Sequence, residues 1–369
     1  MRKSILLVLS SVLAYSGYTQ EAAEPKSKFA FSGYLDSYYF ANLNNPASRN
    51  NLGASGTARA FDQKSGTFGI GLVQTKITYA SASGKTDAVV DLTFGPNADL
   101  GQYGNVAGPL GPGSSLAIKQ AYFNWKPTSK LTFTVGQFGT HIGYEVIDAP
   151  VNYNYSLSNL FNNGPFYHIG AKANVALSDK ASFMLGIVNN IDALYDNNRA
   201  KALIGQLYFA PVSGWNVYLN GITSKEGTAD AKGDTPEGTY SLLDLTTSYQ
   251  ITPKFLVGLN AAVGSQDDKG WSGVALYTNY AITDKFSLGG RYETFDNSEG
   301  IRALVVDGEG VKMNSLTLTG TFTVADGNLL IKPEFRMDTA DKNFFNGETP
   351  DVFDKKSQST LGMAFIYKF

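Results

Sequence analysis

The chain has 369 residues, 30 Lys and Arg against 32 Asp and Glu, and no Cys. Near-balanced charge gives no reason to expect a nucleic-acid partner. The missing Cys excludes a disulfide scaffold, a thiolate metal site, a Cys nucleophile and an acylated lipoprotein Cys, and a His count of two excludes a His-rich metal site. Abundant Gly, Tyr and Phe, with few runs of helix formers, point to an all-β protein.

Residues 1–20 read as a cleaved secretory signal peptide. Arg2 and Lys3 supply the charged region, Ile5–Leu13 the apolar stretch, and Ala14, Ser16 and Gly17 the small residues. That apolar stretch is far below the roughly 20 residues needed for a spanning helix. Cleavage after Gln20 removes two basic and no acidic residues, leaving 28 against 32, net −4. Residues 21–27 form a short periplasmic lead and 28–369 the folded domain. A chain that leaves the cytoplasm without a spanning helix is a soluble secreted β-protein or a membrane β-barrel.

From Lys28 onward, sixteen strands are predicted, at 28–41, 66–80, 85–95, 115–126, 130–141, 166–177, 181–189, 200–210, 215–224, 239–251, 255–264, 272–282, 285–295, 311–324, 329–338 and 358–369; fourteen or eighteen result if a segment is split or merged. Their connections alternate. Ser81–Gly84, Pro127–Ser129, Ser178–Lys180, Pro211–Gly214, Thr252–Lys254, Thr283–Asp284 and Ala325–Asn328 are tight turns. Between them lie longer connections at 42–65, 96–114, 142–165, 190–199, 225–238, 265–271, 296–310 and 339–357. A Greek-key sandwich has no reason to alternate in this way. An up-and-down antiparallel transmembrane β-barrel does, with short periplasmic turns, long extracellular loops and both chain ends periplasmic.

Period-two patterning gives the faces. Leu329, Ile331, Pro333, Phe335 and Met337 oppose Lys332, Glu334, Arg336 and Asp338; Ala88, Val90, Leu92 and Phe94 oppose Asp87, Val89, Asp91 and Thr93. Alternation does not itself distinguish a soluble core from a lipid face. Aromatic residues near segment ends favour the membrane: Phe29, Phe31, Trp125, Tyr208, Phe209, Trp215, Tyr249, Phe255, Tyr280 and Phe286 at the periplasmic side, and Tyr38, Tyr39, Phe40, Phe138, Trp271 and Phe295 at the outer side. The last strand alternates Leu361, Met363, Phe365 and Tyr367 and ends on Phe369, an ending that the barrel-assembly machinery is expected to read. Pro333 requires a bulge or a missing ladder bond.

The stretch 130–170, KLTFTVGQFGTHIGYEVIDAPVNYNYSLSNLFNNGPFYHIG, with KQAYFNW at 119–125 and AFIYKF at 364–369, resembles the OmpL-like porin-2 family of β-barrel porins, common among Bacteroidetes. The resemblance implies a porin-like barrel in the outer membrane of a Gram-negative bacterium. It implies neither a substrate nor catalytic residues.

About sixteen strands enclose an aqueous channel, whereas about eight are filled by their own side chains. The reading is therefore a passive pore for small hydrophilic solutes, in contact with outer-membrane lipids, with a homo-oligomer as one possibility and no cofactor or metal. The lumen candidates are Asp36, Lys76, Asp87, Asp91, Lys172, Asp244, Arg291, Glu293, Lys332, Glu334 and Arg336; so mixed a wall argues against strong ion selectivity. The third long loop, 142–165, either folds inward as a constriction, as in trimeric general porins, or covers the mouth. Its constriction candidates are Glu145, Asp148, Asn152, Tyr153 and Asn154, the asparagines suiting a wet, neutral passage. A plugged barrel serving as receptor or scaffold is the alternative reading. A surface hydrolase is a third, resting on His141 and His168 at the outer rim near Glu145, Asp148 and Ser156.

Overall fold

The computed structural model describes residues 27–56, 58–101, 117–192, 194, 196, 199–225 and 238–369. The predicted signal peptide, nearly all of the lead segment 21–27 and the greater part of loops 96–114 and 225–238 lie outside the described residues.

The strands are β1 (Lys28–Asn42), β2 (Thr67–Ala80), β3 (Thr86–Phe94), β4 (Ala117–Thr128), β5 (Leu131–Gly139), β6 (Tyr167–Ser178), β7 (Ala181–Ile191), β8 (Ala202–Phe209), β9 (Trp215–Lys225), β10 (Thr239–Thr252), β11 (Phe255–Gln266), β12 (Lys269–Thr283), β13 (Phe286–Asp296), β14 (Val305–Val306), β15 (Glu309–Gly310), β16 (Lys312–Val324), β17 (Leu329–Ala340) and β18 (Ser357–Lys368). The short strands β14 and β15 form a separate hairpin within one loop, and the other sixteen close a single barrel. Every barrel strand pairs antiparallel with its neighbours along the chain, and β18 closes onto β1, with Tyr34 opposite Lys368 and Asn42 opposite Thr360. The all-β, up-and-down reading and the strand number of sixteen both hold.

Phe369 completes the seam. Its backbone exchanges hydrogen bonds with Gly33, at 3.1 and 3.0 Å, and its ring stacks on Phe31 at 5.9 Å. A side chain at Gly33 would run first into the Gln74 carbonyl of β2 and then into the Phe369 ring, so the seam needs glycine there. Pro333 is accommodated by a gap. The β16–β17 ladder pairs Thr319 with Glu334 and resumes at Phe322 and Ile331, with no change of register. Gly320 lies beside the ring, where a side chain would press on Phe286 and reach Pro333 at contact distance.

The outward face decides what alternation left open. Leu185, Ile187, Leu203, Leu243, Val263, Leu276, Leu318 and Leu361 are all more than half exposed. A belt of exposed aliphatic residues running round a closed barrel fits lipid and not water. Phe29, Phe31, Trp125, Phe209, Trp215 and Tyr280 are exposed at the periplasmic end. Tyr208, however, alternates against Phe209, donates to Asn216 Oδ1 and packs on Tyr218, so it faces the lumen.

Two expectations are corrected at the outer end. Of the six aromatics assigned to an outer girdle, Tyr39 is exposed, whereas Tyr38, Phe40, Phe138, Trp271 and Phe295 are buried. They point inward because the loops that fold into the barrel give them apolar partners, Tyr38 and Phe40 both packing on Tyr155. The connection expected at 265–271 is a tight hairpin instead. β11 and β12 extend to Gln266 and Lys269, and Asp267 turns the chain at φ 56°.

Candidate functional site

The lumen is crossed by residues 140–166, which leave β5, traverse the barrel and return to β6. Each step of the crossing is tied to a wall strand. His141 Nε2 donates to the Gly221 carbonyl on β9 at 3.1 Å, Gly143 N to Asp244 Oδ1 on β10 at 3.0 Å, and Tyr144 N to Asn260 Oδ1 on β11 at 3.3 Å. The Tyr144 ring then stacks on Tyr277 at 4.2 Å, occupying space that a side chain at Gly258 would fill.

From Glu145 onward the fastening is ionic. Arg291 Nη1 donates to Glu145 Oε1 at 2.5 Å and to the Ser156 carbonyl at 2.6 Å. Asp148 accepts from Lys119 Nζ on β4 and, at 2.9 Å, from Gln74 Nε2 on β2. Lys332 Nζ donates to the carbonyls of Ala149 and Asn152 at 2.9 and 2.6 Å. Arg336 Nη1 donates to the Leu157 carbonyl at 2.7 Å, and its Nε to Asp338 Oδ1 at 2.7 Å.

Two wall carboxylates take up backbone N–H groups that the crossing would otherwise leave unpaired. Glu334 accepts from Tyr155 N at 2.6 Å and Ser156 N at 3.1 Å, and from the Thr319 hydroxyl at 2.7 Å. Glu293 accepts from Asn159 N and Leu160 N, both at 2.8 Å, at the start of the one-turn helix α1 (Asn159–Asn163). Ser158 caps the same turn, its Oγ accepting from Phe161 N. A buried carboxylate with charge-assisted bonds to N–H donors and an Arg nearby is stable where a lone one would not be.

The lumen candidates thus divide by depth. Asp36, Asp91, Asp244, Arg291, Glu293, Lys332, Glu334 and Arg336 are buried at the level of the crossing. Lys76, Asp87 and Lys172 lie on the same inward face, nearer the periplasmic turns, and stay half-buried. Of the loop candidates, Glu145, Asp148, Asn152 and Asn154 bond within the barrel and Tyr153 lies against Gly289. The asparagines do not form a free wet lining. Asn152 closes a reciprocal pair with the Val146 backbone, Asn154 donates to Thr319 Oγ1 at 2.7 Å and Asn159 binds Glu293. They are fasteners, because a loop inside a barrel must satisfy its own backbone.

His141 and His168 are not rim residues. Both lie inside the barrel, His168 fully buried and His141 partly so, their rings 5.7 Å apart, with His168 Nε2 3.1 Å from Thr140 Oγ1. Burial, and then the nearby Lys172, holds the His141 ring down to about 4. Among the described residues no group of His, Asp and Glu is arranged to hold a metal ion.

Sequence reasoning missed a second inward segment, in loop 43–66. Arg59 is buried between Asp62 and Asp338, at 3.4 and 3.3 Å, and donates to Thr360 Oγ1. Asn51 takes the Asn42 amide, which also reaches Gln358. An Arg and an Asp three residues apart in an Asn-rich loop look like any solvated loop. Lys119 was missed as a lumen charge although it opens the distinctive KQAYFNW block. Asp192, just past β7, secures the returning end by accepting from Phe166 N and Tyr167 N at 2.6 and 3.0 Å; burial raises its carboxyl to about 7.

A sixteen-stranded barrel with a lipid-facing belt and a loop folded across its lumen defines an outer-membrane porin. The chain matches the family described as "Putative beta-barrel porin-2, OmpL-like" over residues 28–369. It belongs to that family and resides in the outer membrane of a Gram-negative bacterium. Similar solved structures are an anion-selective porin from Comamonas acidovorans (12% identity, 93% of this chain and 100% of that one, TM-score 0.61) and the outer-membrane channel DcaP of Acinetobacter baumannii (12%, 94% and 99%, TM-score 0.60). The trimer form of OmpT of Vibrio cholerae is a third (14%, 93% and 100%, TM-score 0.57). Identities this low carry the fold alone. No curated protein sequence matches the chain. The porin family points to a channel and not to an enzyme.

Proposed function

We propose that this porin passes small hydrophilic solutes by passive diffusion, and that residues 142–165 set the limit on what passes. The observation that carries this is the strap itself: five wall residues, Arg291, Glu293, Lys332, Glu334 and Arg336, each bond to that loop within the barrel. Shortening the loop within 150–162 is expected to raise single-channel conductance and to admit larger sugars in a liposome-swelling assay. The barrel should stay folded, since loops tolerate changes of length better than strands.

The burial of so many lumen side chains favours a second reading, a plugged barrel acting as receptor or scaffold. Conductance separates the two. If neither parent nor shortened variant conducts, the plugged reading stands. If both conduct alike, the wall and not the loop limits passage.

Two partners belong to this proposal. The assembly machinery reads the ending at Phe369, so Phe369→Asp should lower outer-membrane insertion more than it lowers the stability of the folded fraction. Copies of the chain associate, by analogy with the trimer form of OmpT. The block at 130–170 supports a Bacteroidetes source.

A further inference from the structure

The lumen charges separate along the barrel axis. At the level of the crossing the acids are already engaged. Asp36 accepts from Leu72 N, Asp244 from Asn220, Asn260 and Gly143 N, and Glu293 and Glu334 from the loop backbone. Asp91 accepts from Lys119 at 3.3 Å and from Gln74 and Gln120. At the lower edge of that level and beneath it, toward the periplasmic turns, the balance reverses. Lys76 lies directly opposite Asp91 in the β2–β3 register, but Asp91 is turned to Lys119, and among the described residues no carboxylate pairs with Lys76.

Lys172 is in the same position. In register it neighbours Thr134, which neighbours Asn124, which neighbours Asp87. Asp87 is occupied by Lys126 at 2.6 Å and Asn124 at 2.5 Å, and among the described residues no carboxylate pairs with Lys172, whose Nζ lies over the face of Phe138 at 4.3 Å. The neutral ring of His141 beside it offers no countercharge. The mouth below continues the trend: the periplasmic turns expose Lys85, Lys130, Lys180, Lys254 and Lys285 against Asp179, Asp284 and Asp326.

We propose that the periplasmic half of the lumen is an anion-collecting vestibule, in which Lys76 and Lys172 draw small carboxylate- or phosphate-bearing solutes to the underside of the loop. The two lysines stand four strands apart and, by register, four residues apart along the strands, about 23 Å over the wall, so they act through a shared field in a low-dielectric cleft and not by chelating one anion. The inference rests on the porin reading and names the solute class its inner chamber favours.

The test is sided block in a planar bilayer, at about 0.1 M salt so that the field reaches roughly 10 Å. Orientation is read by cleavage at a protease site placed at Pro350, on an exposed loop. Citrate or pyrophosphate added to the periplasmic side should block at a several-fold lower concentration than when added outside. The double variant Lys76→Gln, Lys172→Gln should abolish that difference, and Lys76→Arg, Lys172→Arg should keep it; heat-modifiable gel mobility shows that both are folded. A current blocked equally from both sides, or a difference that survives in the Gln variant, overturns the vestibule and leaves the porin reading intact. Absence of any current overturns the porin reading. Equilibrium dialysis of labelled pyrophosphate against the micelle-held protein then answers the vestibule separately: binding lost in the Gln variant supports it, and binding equal in both overturns it.

Discussion

The two walls of the lumen receive the same loop by different means. Strands β13, β16 and β17 present Arg291, Glu293, Thr319, Lys332, Glu334 and Arg336, each bonded to a particular loop atom. Strands β7 to β10 present Met184, Val188, Ile204, Ile222 and Leu242, all buried inside the barrel. Bonds to charged groups are directional and cost much when one partner is lost. Apolar contact excludes water but fixes no register. The charged wall therefore positions the loop, and the apolar wall seals the space beside it, with a few polar ties such as His141 to Gly221.

The largest effect is expected where position is set. Glu334→Ala leaves two buried N–H groups and the Thr319 hydroxyl without their acceptor and removes the acid beside Arg336. Breaking a buried charged network in this way costs about 3–5 kcal/mol. Because the barrel ladder is untouched, the loss should appear in the loop, as protease cleavage within 142–165 and a raised, noisier conductance. A variant as resistant and as quiet as the parent would mean that the wall acids do not position the loop.

Much of this was legible beforehand, and the reason is physical. Ile331 and Lys332 alternate because one faces lipid and the other the lumen, and the lengths of the connections carry the topology independently of any one strand. The inward apolar wall was not legible, because Ile204 and Leu203 are equally apolar and face opposite ways; alternation is silent when both faces are dry. Parity with the lumen candidates Asp36 and Glu293 already puts Tyr38, Phe40 and Phe295 on the inner face; what left no signal is that loops cover them there. Their partners, Tyr155 and the loop residues, lie far along the chain, and pairing over such a distance has no period. The charged residues of the crossing could be placed on the inner face by parity, whereas their occupation by loop backbone is a property of the fold.

Adjacent positions on β17 sharpen the distinction between lipid and lumen. Ile331→Arg puts a charge on the outer face and should cost about 2–4 kcal/mol near the bilayer midplane. Lys332→Ala leaves the barrel ladder in place but removes the donor to the carbonyls of Ala149 and Asn152, so about 1.5–3 kcal/mol should be lost from the loop. Denaturant-dependent heat modifiability reports the first, and loop proteolysis the second. If both substitutions unfold the barrel alike, the assignment of faces fails.

The polar tie on the plainer wall responds to pH. Strapped down, the His141 ring titrates at about 4, whereas a released ring titrates near 6.5. The strapped state therefore prefers the neutral ring. Its contribution is complete above about 6.5 and is lost progressively as pH falls toward 4. At pH 5 the loss is about 2 kcal/mol. Loop cleavage or current noise should rise between pH 7 and 5 in the parent, and that part of the rise should be missing in His141→Gln. An identical pH response in the two proteins would remove His141 from the anchoring.

The smallest effect is expected on the sealing wall, at Ile222, one residue from the carbonyl that His141 holds. Ile222 is buried on the lumen face of β9, and Ile222→Val removes one methylene without altering a hydrogen bond. A change of this kind costs about 0.5–1.5 kcal/mol, through lost burial and a small void. If this wall only seals, the loss should be seen in barrel stability, with the loop no more open to protease and the conductance unchanged. If the wall also positions the loop, the void would let Ile142 and its neighbours shift, and conductance would change with stability, as is expected for Glu334→Ala. Measuring both quantities on both variants thus tests the division of labour between the walls: one substitution should move the loop and the other should move only the barrel.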